Sequence, residues 1–239
     1  MVNSMKRPMI LGHRGASFGR IDNSRDAFEN VAPLGGDGAE LDVRATSDGV
    51  LAVIHDPVVK GFGAVAEHTF KRLDDALGNT LIRLEEALEV LDGMVVDIEI
   101  KSDPKEVGWV PSELTSRLLA RYLSGYSGKS SIFVSSFSER ALKVFSDLAP
   151  GVQLGLLGSI GSEFLSRCHI ACELGANYVL PHHSSLDSAS VKEAHELGLG
   201  VVTWTVDLPG RVIELAECQV DGIITNRVDI AHSSLGTNF

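Results

Sequence analysis

Cysteine is scarce in this 239-residue chain, which has only Cys168, Cys172 and Cys218. Three thiols cannot all pair, which fits a reducing compartment, with the cytoplasm as the default location. Positive charge is also short: 21 Lys and Arg stand against 32 Asp and Glu, for a net charge of −11. That balance argues against broad binding to nucleic acid or to an anionic membrane. A small anionic substrate stays possible, because a metal and a few cations can reverse the field locally. No apolar run approaches the ~18 residues of a membrane span, so no stable membrane insertion is expected. The start, MVNSMKRPMILGHRG, has cations but no apolar core of signal-peptide length.

Several catalytic motifs are missing too. There is no G-x-S-x-G nucleophile elbow and no G-x-x-x-x-G-K phosphate loop. His195-Glu196 opens like a zinc-protease helix, but Leu199 stands where the second histidine belongs. The cluster Gly35-Gly36-Asp37-Gly38 precedes a strand rather than following one, so it reads as a turn. Cys168 and Cys172 flank His169, yet they also fall on the stripe Phe164, Leu165, Cys168, Ala171, Cys172, Gly175. No third or fourth ligand lies at a useful spacing, so core packing is expected for both thiols.

What is present is alternation. Apolar strand candidates lie at 8–13, 39–43, 95–101, 131–136, 152–157, 177–181, 200–206 and 221–226. Helical patterns between them cover 24–32, 84–91, 111–123, 138–149, 162–175, 188–198 and 208–218, several with Ser or Asp at the entry and Gly after the exit. LDVRATSDGVLAVIHD reads as a strand, an Asp-Gly turn and a second strand, so a hairpin follows strand two. Residues 57–83 form a short irregular insertion after it, with a helical piece near FKRLDDAL. Eight strands alternating with helices predict an α/β chain, a TIM (β/α)8 barrel, as one domain over 1–239. Its active site is then expected at the carboxyl ends of the strands.

Polar residues interrupt these strands at that end. His13 and Arg14 close strand one, Glu40 and Asp42 lie on strand two, and His55 and Asp56 end the hairpin. Asp97, Glu99 and Lys101 punctuate strand three, and Trp204 sits late in strand seven. Side chains alternate along a strand, so Glu40 and Asp42 share a face, as do Asp97, Glu99 and Lys101. Carboxylates cannot face the apolar helices unpaired, so they must point into the barrel mouth. There they repel one another unless protonated or neutralised, and a hard divalent cation resolves the repulsion. His182 and His183 follow strand six and could line the rim, with surface polarity the expected reading.

These residues resemble the glycerophosphodiester phosphodiesterase family. The likeness is carried by GHRGAS, DNSRDAF, GAELDVRATSDGVLAVIHD, LEEAL, VDIEIK, VSSF, VVTWTVD and VDGIITN, in family order over nearly the whole chain. It implies a metal-dependent barrel enzyme that cleaves a small-molecule glycerophosphodiester to glycerol 3-phosphate and an alcohol. It further implies His13 and His55 as general acid and base, and Glu40, Asp42 and Glu99 as ligands of Mg²⁺ or Ca²⁺. Arg14 and Lys101 would hold the phosphate, and Trp204 would pack on the glycerol. The motifs specify neither the head group nor an oligomeric state.

Three departures bear on substrate range. Ile21-Asp22-Asn23-Ser24 stands where Pro-Glu-Asn-Thr is usual, the insertion is short, and Thr225-Asn226-Arg227 replaces a common Thr-Asp. A lysophospholipase D-like activity would need an apolar rim, for which the insertion offers Phe62 and nearby valines. A catalytically silent phosphate-binding barrel would not need every chemical residue retained.

Overall fold

In the computed structural model, which describes residues 7–236, the strands close on themselves. Residues 1–6 and 237–239, and with them the ends of the expected domain and the first part of the stretch read for a signal peptide, lie outside the described residues. The strands are β1 (Met9–His13), β2 (Gly38–Ala45), β3 (Leu51–Val53), β4 (Val58–Val59), β5 (Gly63–Ala64) and β6 (Val95–Ile100). Then come β7 (Ser131–Ser136), β8 (Gln153–Leu157), β9 (Tyr178–Leu180), β10 (Gly200–Thr203) and β11 (Gly222–Thr225). β1 pairs in parallel with both β2 and β11, and the parallel order β2-β6-β7-β8-β9-β10-β11 completes an eight-stranded barrel.

The helices are α1 (Arg25–Glu29), α2 (Phe70–Ala76), α3 (Leu84–Val90), α4 (Leu114–Ser124), α5 (Glu139–Leu148), α6 (Phe164–Glu173), α7 (Ser188–Glu196), α8 (Pro209–Glu217) and α9 (Val228–Leu235). Ser24, Ser138 and Asp187 accept main-chain N–H bonds at the entries of α1, α5 and α7, as the sequence leads one to expect. Among the described residues no helix is long and apolar enough to cross a membrane.

Strand alternation builds two cores. Ile10, Leu41, Val96, Ile98, Val134, Leu156 and Val201 face outward into the layer shared with the helices. Leu11, Phe133, Leu157, Leu180, Val202 and Ile224 face inward and fill the barrel. The odd residues of β1 and the even residues of β2 therefore point to the axis, which puts His13, Glu40 and Asp42 inside.

The hairpin forms as expected. β3 runs antiparallel to β2, with Gly49 at φ 76° in the turn. The insertion holds the β4–β5 ribbon and α2, packed on a small apolar cluster of Val59, Val65, Phe70, Leu73 and Leu81.

Three expectations need correction. α9 had no helical signal in the sequence reading, because two serines and a histidine interrupt its short apolar repeat; Val228, Ala231 and Leu235 nevertheless bury one side of it. β10 stops at Thr203, because the chain leaves the sheet there and carries Trp204 to the rim, where it bridges to His182. Cys172 is exposed, while Cys168 is buried as expected; α6 is ten residues long and turns Cys172 to solvent.

Candidate active site

Register sets the site. Parallel pairing places His13 beside Glu40 and Glu40 beside Asp97, and one step further along it places Asp42 beside Glu99. Inward-facing residues of β1, β2 and β6 thus bring their polar side chains together inside the barrel, beside the apolar residues Leu11, Phe133 and Leu157. A cavity of ≈ 260 Å³ opens over them, lined by His13, Arg14, Glu40, His55, Glu99, Lys101 and Trp204 among others. Of the eight residues to which the family resemblance gives a role, seven line it. Asp42 does not line it and is 1% exposed.

The β1–α1 turn is bent so that main chain as well as side chain serves the site. Arg14 and Gly15 are both left-handed, at φ 56° and 85°. A Cβ on Gly15 would lie 2.7 Å from the Ala27 carbonyl carbon, so only glycine fits. Arg14 has no such excuse, and its conformation costs roughly 1–3 kcal/mol. In return its N–H donates to Glu40 Oε2 at 2.9 Å, while the guanidinium sits 3.3 Å from Asp42 Oδ2 and donates to Asp22 at 3.0 Å. The aspartate at 22, shorter than the usual glutamate, therefore still reaches the arginine.

Glu40, Asp42 and Glu99 each offer an oxygen within 4.8 Å of the others, and all three are buried. Glu40 Oε1 has no hydrogen-bond partner. Burial first, then repulsion from Asp42 and Glu99, pushes the Glu40 carboxyl well above the usual range. Burial and Asp42 push Glu99 up to about 7, although Lys101 donates to it at 2.7 Å. Burial would raise Asp42 as well, but Lys101, Arg14 and the Asn23 amide hold it low. Three converging acids with an orphaned oxygen fit a divalent cation on oxygen ligands. Asp97 is equally buried but has no metal-ligating place in this group; burial and repulsion from Glu99 and Asp42 push it well up too.

The Glu99 shift has a testable sign. A carboxyl whose folded pKa exceeds its unfolded value opposes folding as pH rises between the two. Metal-free Glu99→Gln should therefore gain thermal stability over metal-free wild type as pH goes from about 5 to about 8. A gain that is constant or shrinks over that range would contradict the buried, repelled carboxyl.

Each histidine is anchored through Nδ1. His13 Nδ1 lies 2.7 Å from Asn226 Oδ1, and His55 Nδ1 lies 2.7 Å from Asp56 Oδ1. Burial lowers the pKa of both rings; Arg14 adds to this at His13, and Asp42 opposes it at His55. Trp204 is fixed by Nε1–H donating to the Leu180 carbonyl at 2.9 Å and by edge contacts with Phe137 and His182. His182 thus takes the rim position that the sequence left open for it, packed against Trp204.

The sequence reading missed three supports. Asn23, buried and left-handed at φ 56°, donates to Asp42 at 2.8 Å and receives its N–H. Arg44 is 8% exposed, donates to the His55 carbonyl at 2.8 Å and grips Glu106 through two bonds of 2.8 and 2.9 Å. The spacing 40, 42, 44 along β2 held that signal. In the sequence Asn226 stands out only as a departure from the family pattern.

Comparison with known proteins shows the family and the fold. The model of the glycerophosphoryl diester phosphodiesterase family matches residues 13–230. A glycerophosphodiester phosphodiesterase of Caldanaerobacter subterraneus is 30% identical over 236 residues, covering 92% of this chain and 94% of that protein. Among solved structures, a glycerophosphodiester phosphodiesterase of Parabacteroides distasonis superposes with TM-score 0.81 at 27% identity, over 97% of this chain and 98% of the other. An Oleispira antarctica phosphodiesterase, solved with sn-glycerol-3-phosphate, superposes with TM-score 0.83 at 21% identity over 96% and 97%.

Proposed function

The chain belongs to the glycerophosphoryl diester phosphodiesterase family and is a phosphoric diester hydrolase; we propose how its own residues carry out that hydrolysis. His13 and His55 are the proton-transfer pair, one taking a proton from the attacking oxygen and the other giving one to the leaving alcohol. Glu40, Asp42 and Glu99 hold Mg²⁺ or Ca²⁺, a choice supported by a donor set made only of oxygen. The cation would supply positive charge that offsets the charge of the phosphodiester. Arg14 and Lys101 grip the phosphate oxygens, and Trp204 packs on the glycerol. The products are glycerol 3-phosphate and an alcohol.

One observation carries this reading. Two histidines, two cations and the carboxylates of Glu40 and Glu99 line one cavity of ≈ 260 Å³, and Asp42 offers an oxygen within 4.8 Å of those two acids. Neither an activated serine nor an activated cysteine belongs to it, so the attacking oxygen comes from water or from a hydroxyl of the substrate. Free Cys168, Cys172 and Cys218 support a reducing, cytoplasmic setting.

Arg14 gives a direct check. Its planar fork binds phosphate oxygens in a way that a point charge does not. Arg14→Lys should therefore raise KM or lower kcat by roughly tenfold or more while the divalent-metal affinity stays put, as read by steady-state kinetics and calorimetric metal titration. Loss of metal binding instead would make Arg14 a prop for the carboxylates.

A second reading has its own support. Phe18, Ile21, Ile160 and Leu208 are 61–71% exposed, on loops that follow β1, β8 and β10 at the mouth. Such a rim suits the acyl chain of a lysophospholipid better than the insertion alone does. Comparing kcat/KM on a lysophospholipid with kcat/KM on a water-soluble glycerophosphodiester decides between them.

A further inference from the structure

His13 touches its support through one ring nitrogen, and that support has a fixed polarity. An amide's oxygen and nitrogen are told apart by their partners. Asp207, in the loop after β10, receives the Asn226 main-chain N–H and its side-chain Nδ2, each at 2.8 Å. Asp207 Oδ1 also accepts from Thr225 Oγ1 at 3.1 Å. A carboxylate only accepts, so the edge of Asn226 that faces it must be the NH₂. The edge turned to His13 is then the carbonyl oxygen, which also receives Ser17 Oγ–H at 3.3 Å.

From this we infer that the Asp207–Asn226 pair fixes His13 in its Nδ1–H tautomer and so routes its proton transfer through Nε2. The inference rests on the functional reading above, in which His13 moves a proton. An acceptor-only atom 2.7 Å from Nδ1 keeps a hydrogen there in the neutral ring, and the imidazolium keeps the same bond. The ring therefore gains and loses a proton at Nε2 without turning. On the way in, the Nε2 lone pair forms a bond to a proton leaving a substrate or water hydroxyl. On the way out, that N–H bond breaks, its electron pair returns to Nε2 and the proton goes to an oxygen. Neither Asn226 nor Asp207 lines the cavity, so both are positioning residues. Because Asn226 is neutral, it selects the tautomer without placing a negative charge against the ring.

Imidazole ¹⁵N shifts, recorded on the whole protein at a pH where the ring is neutral, report the tautomer independently of activity. Wild type should show His13 as Nδ1–H. Asn226→Ala should give a tautomer mixture and a kcat lowered roughly 10–100-fold with KM little changed, by analogy with loss of the partner that orients a metal-bound imidazole. Asp207→Asn keeps the shape but frees Asn226 to present its NH₂, so the signal should move toward Nε2–H. The exchanged pair Asp207→Asn/Asn226→Asp puts an acceptor back opposite Nδ1 and should restore Nδ1–H. An Nε2–H ring in wild type overturns the inference, whatever the turnover. So does Asn226→Ala with unchanged tautomer and kcat. An Nδ1–H ring in a protein that cleaves no glycerophosphodiester would instead sink the functional reading, and the proton route with it, while the hydrogen-bond assignment stood.

Discussion

His13→Ala and His55→Ala should each lower kcat by ~10²–10⁴, the usual worth of a positioned proton-transfer group, with the fold intact. Both rings line the same cavity, and both have Nδ1 engaged, by Asn226 and by Asp56. One ring nitrogen on each is left for the substrate. Burial lowers both pKa values, which favours the neutral form that the proton-accepting ring needs. If they act on opposite ends of the reaction, the two losses should not add in the double variant, because either one alone already breaks the cycle. The wild-type rate should show two pH limbs, and each single variant should lose one. Near-normal turnover in His55→Ala, with an unchanged melting curve, would leave that residue holding the hairpin end only.

The second large effect is loss of metal. Chelation should bring turnover to background, and Mg²⁺ or Ca²⁺ should restore it. The carboxylates argue for this through their own discomfort: Glu40 Oε1 is orphaned, Glu99 is pushed up to about 7, and all three acids are buried. Nothing else in the cavity matches their charge, because Lys101 and Arg14 are shared among them and leave Glu40 with only the Arg14 N–H. Glu40→Gln should weaken metal binding while leaving the barrel folded, since it removes charge at constant volume from a site already strained by repulsion. Full activity in excess chelator, with metal analysis showing an empty site, would contradict the assignment.

Much of this was legible in the residue pattern because barrel physics is periodic. Outward positions must be apolar against the helices, so polar residues at every second position of β2 and β6 had one place to go. The carboxylates, His13 and Lys101 follow from that parity alone. Parity also carried Arg44, but a lone inward arginine gains meaning only once Glu106 and the His55 carbonyl are seen to hold it. Asn226 and Asp207 lie 19 residues apart in sequence and 213 and 194 from His13, and no local pattern joins them; their pairing appears only when β11 closes on β1. α9 was invisible for another reason. Its apolar side is short and polar residues interrupt it, so packing against the closed barrel, rather than intrinsic propensity, makes it a helix.

The most direct test of the account is the identity of the phosphorus-bearing product. A glycerophosphodiester with a distinct head group, incubated with the metal-loaded protein and followed by ³¹P NMR, should yield glycerol 3-phosphate and the free alcohol. The same mixture with chelator should stay unreacted. Release of a phosphorylated head group and free glycerol, or no cleavage with Mg²⁺ or Ca²⁺ present, would contradict it.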